Sequence, residues 1–334
     1  MEREITKDEN GVRIDIWCTT QFEGVSRARI QEEILNGKIK VNNAFVKKDY
    51  KLRAYDRVTF PDVLSVSEDL SPLPAQPLVV LGEKEGIIAL YKPTGWNTHR
   101  PRPDIKEDPR RYVADWLHQQ YPSTRYLGEP LRAGIAHRID KPVSGILLAA
   151  SEIDAWKYLL QIFSERRIEK KYHALVIGNP SGSLLTIEFP IAHKGFGKVS
   201  ALPLHKSMHI EDEIDEKDND EYSNKTVGKH AVTKATIISR WHAYSLWDIS
   251  LITGRTHQIR AHFAAYGYPI AGDALYGSSP VNKKKFPRIM LQSTETTFLL
   301  PSGKQWHIAV PRDKDFAEII ESLGTPLPPR EGDV

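Results

Sequence analysis

Five uninterrupted apolar residues, Ile146 to Ala150, close the stretch Ile135-Ala136-His137-Arg138-Ile139-Asp140-Lys141-Pro142-Val143-Ser144-Gly145. Such a run is long enough for a buried strand and too short for a confident helix. Arg138 and Asp140 therefore sit on a loop feeding a rigid element, a place where reactive groups are often held. On charge alone such a loop is more often a surface salt bridge than an active site. The rest of the chain decides between the two.

Apolar residues make up 40% of the chain and charged residues 27%, which is enough for ordinary globular cores. No segment approaches the roughly 18 apolar residues of a membrane span. Met1-Glu2-Arg3-Glu4 offers no apolar stretch for a secretory signal, and a cytoplasmic protein is expected. Cys18 is the only cysteine, which excludes an intrachain disulfide and argues against a thiolate metal cluster. Net charge is +3, yet His209 to Lys225 holds eight acids against Lys217 and Lys225, so the remainder carries +9. A basic body with one acidic insert suits a polyanionic ligand.

Residues 11–60 read as a small basic module with ten Lys or Arg and six acids. Ile14, Trp17 and Cys18 share a helical face, and Ser26 would cap a second helix, Arg27 to Leu35, ended by Gly37. Strands are expected around Ile39–Val41 and Ala44–Val46 about an Asn42-Asn43 turn, with a last one over Arg57–Phe60. The order helix, Ser-Arg-x-Arg helix, Gly-Lys-x-x-Val-Asn-Asn hairpin resembles the RNA-binding module of small-subunit ribosomal protein four. The resemblance implies Arg27, Arg29, Lys38, Lys40, Lys47 and Lys48 as candidate RNA-binding residues. Residues 61–77, with Pro61, Pro72, Pro74 and Pro77, read as a linker.

Beyond it, Leu78–Leu81 and Ile87–Leu90 are expected strands, followed by a Pro- and Arg-rich loop, Arg100 to Arg111. Trp156, Leu159, Leu160 and Phe163 form a helical apolar stripe, read as core. Lys170 to Gly178 alternates as a strand with Tyr172, Ala174 and Val176 on one face. Trp247, Ile249 and Leu251 alternate likewise and run into Thr253-Gly254-Arg255-Thr256-His257-Gln258-Ile259-Arg260. Ile259, Phe263 and Tyr266 then recur at helical spacing, with Thr256 as the candidate cap. His257 and His262, five apart and without a third ligand, are read as structural, and no metal is expected.

His-Arg-Ile-Asp-Lys-x-x-Ser-Gly, Lys-x-Tyr, Gly-Arg-Thr-His-Gln-Ile-Arg and Gly-Asp-x-Leu-Tyr-Gly stand here in the order that resembles RNA pseudouridine synthases of the RluA/RluD family. The resemblance covers residues 78–312 and leaves 313–334 as a tail. It implies an α+β fold, with a mixed, largely antiparallel central sheet, flanking helices and a small ααβ domain in front. It implies Asp140 as the catalytic carboxylate, Arg255 as its basic partner, Tyr172 against the uracil and at its C5 proton, and Arg138 filling the place of a flipped nucleotide. The reaction breaks C1′–N1 and joins C1′ to C5, so no cofactor is expected. Large-subunit ribosomal RNA is the favoured partner, with transfer RNA second, and a monomer the default. Pro142-Val143 departs from the family pattern by losing a threonine hydroxyl, and the acidic insert 209–225 has no counterpart there. A non-enzymatic RNA-binding or ribosome-assembly factor would share the front module but not the three ordered motifs. An RNA methyltransferase would need a glycine-rich methyl-donor loop, which is missing.

Overall fold

The computed structural model describes residues 2–22, 27–61, 78–99, 112–128, 132–193, 199–201, 228–277 and 285–330. Ser26, nearly all of the linker, the 100–111 loop and the acidic insert lie outside these residues, as do the side chains of Arg27 and Arg29.

The front module starts earlier than expected. Strand β1 (Glu2–Glu4) precedes helices α1 (Ile14–Gln21) and α2 (Arg27–Leu35), which are followed by β2 (Lys40–Val41) and β3 (Arg57–Thr59). β3 is central, antiparallel to both β1 and β2. Ile14, Trp17, Cys18, Ile30, Ile34 and Val58 are among the residues that close its core. Asn42 and Asn43 do form a turn, both with positive φ. The strand expected over Ala44–Val46 is absent. Only Ala44 bridges back to Val41, because Asn42 exchanges backbone and side-chain bonds with Arg57 and commits β2 to β3.

The remaining elements are β4 (Val79–Lys84), β5 (Ile87–Lys92), α3 (Val113–Gln120), a 3₁₀ turn (Pro122–Tyr126), β6 (Ser144–Ala150), α4 (Ile153–Ser164), β7 (Ile168–Ile177), β8 (Leu184–Ile187), β9 (Ile191–His193), β10 (Val199–Ala201), β11 (Thr233–Arg240), β12 (Tyr244–Leu251), α5 (Gln258–Ala265), β13 (Leu291–Leu299), β14 (Gln305–Ala309) and α6 (Lys314–Ser322). The large sheet runs β4-β5-β6-β13-β7-β12-β11-β8, with β14 on β13. β6 meets β13 in parallel, whereas β13, β7, β12, β11 and β8 pair antiparallel in turn.

Two compact units divide the chain. The first comprises residues up to Leu90 with 96–138 and 147–163. Within it, α4 buries Ala155, Leu159 and Ile162, while Leu160 is exposed, so the buried stripe is rotated from the one read in sequence. The second unit comprises 91–95, 139–146 and everything from Ser164 onward. Here residues 313–334, set aside as a tail, contain α6, whose Phe316 is fully buried beside Leu175, Trp241, Phe286 and Met290. An amphipathic helix with an aromatic residue to bury is part of a core, wherever the recognisable motifs end.

Gly145, at the start of β6, has φ +123, and a Cβ there would lie 2.1 Å from Ser293 O. The parallel approach of β6 to β13 therefore needs glycine. Gly145→Ala is expected to destabilise the protein by about 3 kcal/mol through overpacking and backbone strain, measured by urea denaturation.

Candidate active site

Asp140 ends the loop that leads into β6, and that loop is tied at several points. Val143 N–H donates to Asp140 O (3.0 Å), Gly95 N–H to Lys141 O (2.8 Å), and the Thr94 hydroxyl to Pro142 O (2.8 Å). Lys92, fully buried, donates to Pro93 O and Lys141 O from beneath. Burial holds its amine down to about 7, against the pull of the Asp140 charge. Pro142-Val143 thus leaves the loop well anchored. Thr94 supplies a hydroxyl from a neighbouring segment, and Val143 is buried. Ser144 is hydrogen-bonded to Asp313, which pairs with Arg288, fixing the base of β6.

The basic partner of Asp140 is Arg260, not Arg255. Arg260 Nη1 donates to Asp140 Oδ2 at 3.2 Å. Its Nε and Nη2 form a two-pronged contact with Asp273, at 2.8 and 2.9 Å. Asp273 Oδ1 also accepts the N–H groups of Leu275 and Tyr276. Burial works against the Asp273 charge, but the Arg260 contact and these amides hold its carboxyl below its ordinary value. Arg260 is raised in turn, burial being outweighed by Asp273 and Asp140.

Arg255 points elsewhere for a local reason. The turn after β12 wraps around the buried amide of Gln258. Its Oε1 accepts from Thr253 Oγ1 and from the N–H of Arg255, and its Nε2 donates to Val232 O and Thr233 Oγ1. That wrapping sends the Arg255 guanidinium to His230 O, 3.2 Å from Nε. α5 begins at Gln258 with His257 at its N-cap, so Thr256 does not cap it. Arg260 then falls in the first turn of the helix.

His262 is buried, its ring nitrogens against Thr233 Oγ1 and Phe189 O. His257 is not remote from the site: its Nε2 lies 3.8 Å from Asp140 Oδ2. Tyr172, on β7, is buried, and burial pushes its phenol up to about 12; a Ser293 hydrogen bond opposes this and the Asp140 charge adds to it. Arg138, in the first unit, is exposed. Its charge, with that of Arg132, adds to burial in lowering His99 to about 4. In the module, Lys38, Lys47 and Lys48 are exposed; Lys38 pairs with Glu33, and Lys40 sits over the Phe45 ring. Among the described residues no cluster of three metal-ligating side chains occurs.

The family model for RNA pseudouridylate synthase matches residues 86–265, more than half of the chain. The chain belongs to that family. It is an enzyme of RNA modification, a pseudouridine synthase, and the matched span holds Asp140, Tyr172, Arg255 and Arg260. Among its relatives is an uncharacterized RNA pseudouridine synthase, YlyB, of Bacillus subtilis, 28% identical over 95% of this chain and 96% of its own. Ribosomal large subunit pseudouridine synthase C of Escherichia coli is 29% identical over 96% and 95%. Two solved human structures share the fold. RNA pseudouridylate synthase domain containing 1 has a TM-score of 0.53, covering 78% of this chain and all of its own, at 20% identity. Domain containing 4 has 0.55, covering 73% and 92%, also at 20%. No helix among the described residues is long and apolar enough to cross a membrane.

Asp273 and Gln258 were missed in sequence as site-building residues. The Gly272-Asp273 turn was the available signal, since Gly272 has φ +75 and a Cβ there would meet Arg288 O at 1.9 Å. Asp273→Asn strands the buried Arg260 charge and is expected to cost about 3–5 kcal/mol in thermal or urea unfolding. The Asp273 contribution is in place above pH 3.8 and is lost as pH falls through its lower folded value, so the variant should unfold less steeply with acid below pH 3.8.

Proposed function

We propose that this synthase isomerises specific uridines of large-subunit ribosomal RNA in the cytoplasm, with Asp140 as the reacting carboxylate. One observation carries the reading. A carboxylate on a braced loop is gripped at Oδ2 by an arginine that is itself locked by a second, buried carboxylate. Such a chain fixes direction, which a group that acts on one sugar carbon requires. The ribosomal target is supported by the Escherichia coli relative, a ribosomal large subunit pseudouridine synthase that aligns along nearly the whole chain.

In the reaction the C1′–N1 bond breaks, the uracil turns, C1′–C5 forms, C5 loses a proton and N1 gains one. A stacked uridine must first leave its helix, at a cost of a few kcal/mol. Arg138, exposed two residues before Asp140, is suited to fill the gap and stack on neighbouring bases. Asp140 then acts on the ribose, either at C1′ or by taking the C2′ proton. Tyr172 enters as a neutral phenol, since its burial disfavours phenolate. It packs against the detached uracil and relays the C5 proton, its oxygen accepting that proton as its own hydroxyl proton leaves to solvent. Arg255, whose guanidinium donates to His230 O, is assigned no part at Asp140.

The front module adds sequence-independent grip, with Arg27, Arg29, Lys38, Lys40, Lys47 and Lys48 meeting phosphates. Replacing Lys38, Lys40, Lys47 and Lys48 by Gln should make the log–log salt dependence of RNA binding shallower by about 2 or more; an unchanged slope removes the module from the interface.

Asp140→Asn is expected to abolish pseudouridine formation, read by carbodiimide mapping of ribosomal RNA from cells carrying the variant, while RNA binding persists. Retained modification would refute the assignment, and loss confined to transfer RNA would move the target. Tyr172→Phe should slow tritium release from 5-labelled uridine in RNA, and an undiminished rate would exclude the proton role.

A further inference from the structure

Besides Arg260, the imidazole of His257 approaches the Asp140 carboxylate, whose charge is also felt by Lys92, Tyr172 and Tyr276. His257 Nε2 is 3.8 Å from Asp140 Oδ2, and its Nδ1 is 3.0 Å from the Tyr276 hydroxyl. The imidazole is held from several directions. Its backbone is left-handed, φ 54 and ψ 21, a conformation that side-chain-bearing residues keep only where surroundings enforce it. The Tyr276 ring stands edge-on at 5.8 Å. The Tyr276 hydroxyl in turn lies 3.3 Å from both the N–H and the C=O of Val199. Among the described residues, the charged or titratable groups about His257 include Asp140, Tyr276 and, beyond them, Arg260 over the Tyr276 ring and Asp273.

We infer that His257, seated by Tyr276, is a titratable positioning residue for Asp140, a second clamp on Oδ2 beside Arg260. The Val199 peptide pair makes this possible. With neutral imidazole, the Tyr276 O–H donates to Nδ1 and the proton on Nε2 faces Asp140. With imidazolium, Nδ1–H donates to the Tyr276 oxygen, and the hydroxyl turns its own proton to Val199 O. The proton gained or lost sits on Nδ1, and Nε2–H faces Asp140 in both states. Only the hydroxyl rotates. Both clamps fall on Oδ2, so Oδ1 is the oxygen assigned to the ribose. The charge at His257 then strengthens the hold on the carboxylate as pH falls through the histidine range.

The inference rests on Asp140 being the reacting group, so its test has a readout besides turnover. In the full chain with labelled histidine, the His257 imidazole is followed by NMR, its signal assigned by loss in His257→Asn. Asparagine tolerates the left-handed backbone and does not titrate. Asp140→Asn should lower the His257 pKa by about one unit, because an opposite charge close by is removed. Tyr276→Phe should lower it as well. In turnover, His257→Asn should reduce kcat about tenfold with KM for RNA within about twofold, and the histidine inflection in the pH profile should vanish. A His257 pKa indifferent to Asp140→Asn, or a wild-type pH profile in His257→Asn, overturns the clamp. Turnover retained by Asp140→Asn itself overturns the reading of Asp140 instead.

Discussion

A single guanidinium, that of Arg260, links two acids of the second unit, Asp140 and Asp273. Asp273 lies 13 residues after it and Asp140 lies 120 residues before it. The group is nearly out of solvent, a costly place for charge unless the geometry is good and the remaining donors are satisfied. Two parallel bonds to Asp273 meet that condition, and two backbone N–H groups complete Asp273. The third contact, to Asp140, is then made by an arginine with little freedom to turn away. Orientation of the half-buried carboxylate is inherited from a fully buried pair.

The backbone supplies the complementary half of this constraint. Gly145 lets β6 approach β13 in parallel, which fixes where the Asp140 loop ends. Gly272 lets the Asp273 turn close against Arg288 O. Lys92 and Thr94 hold the loop's own carbonyls from one side, and Ser144, with Arg288 and Asp313, holds the strand from the other. Most of these groups are buried polar side chains with partners, an arrangement that favours a single loop conformation over a set of them. Preorganisation of this kind is what a carboxylate acting on one sugar carbon needs.

The strands around Ile87, Ile146, Tyr172 and Trp247 were legible in sequence because each carries an apolar run or a period of two. The helix at Ile259 was legible for the same reason. Asp140 was singled out in sequence through ordered motifs. Its partner was not, because Arg255 and Arg260 lie in one motif and the choice depends on where α5 begins. That start is set by the Gln258 amide, a tertiary network with no periodic signature. The nearness of His257 to Asp140 was hidden as well, since a left-handed residue at a helix N-cap leaves no periodic signature. β1 and α6 were overlooked since neither belongs to a motif. Their evidence is burial, of Ile5 just after β1 and of Phe316, and burial is a property of the folded chain.

The most direct measurement of the account is single-turnover pseudouridine formation by Arg260→Lys, alongside its RNA affinity. Lysine keeps the charge and loses the fork, so it cannot hold Asp273 and Asp140 in the same plane. The rate is expected to fall by about 100-fold, with RNA affinity within about threefold of wild type. A wild-type rate in a folded Arg260→Lys protein would show that the Arg260 fork does not orient Asp140.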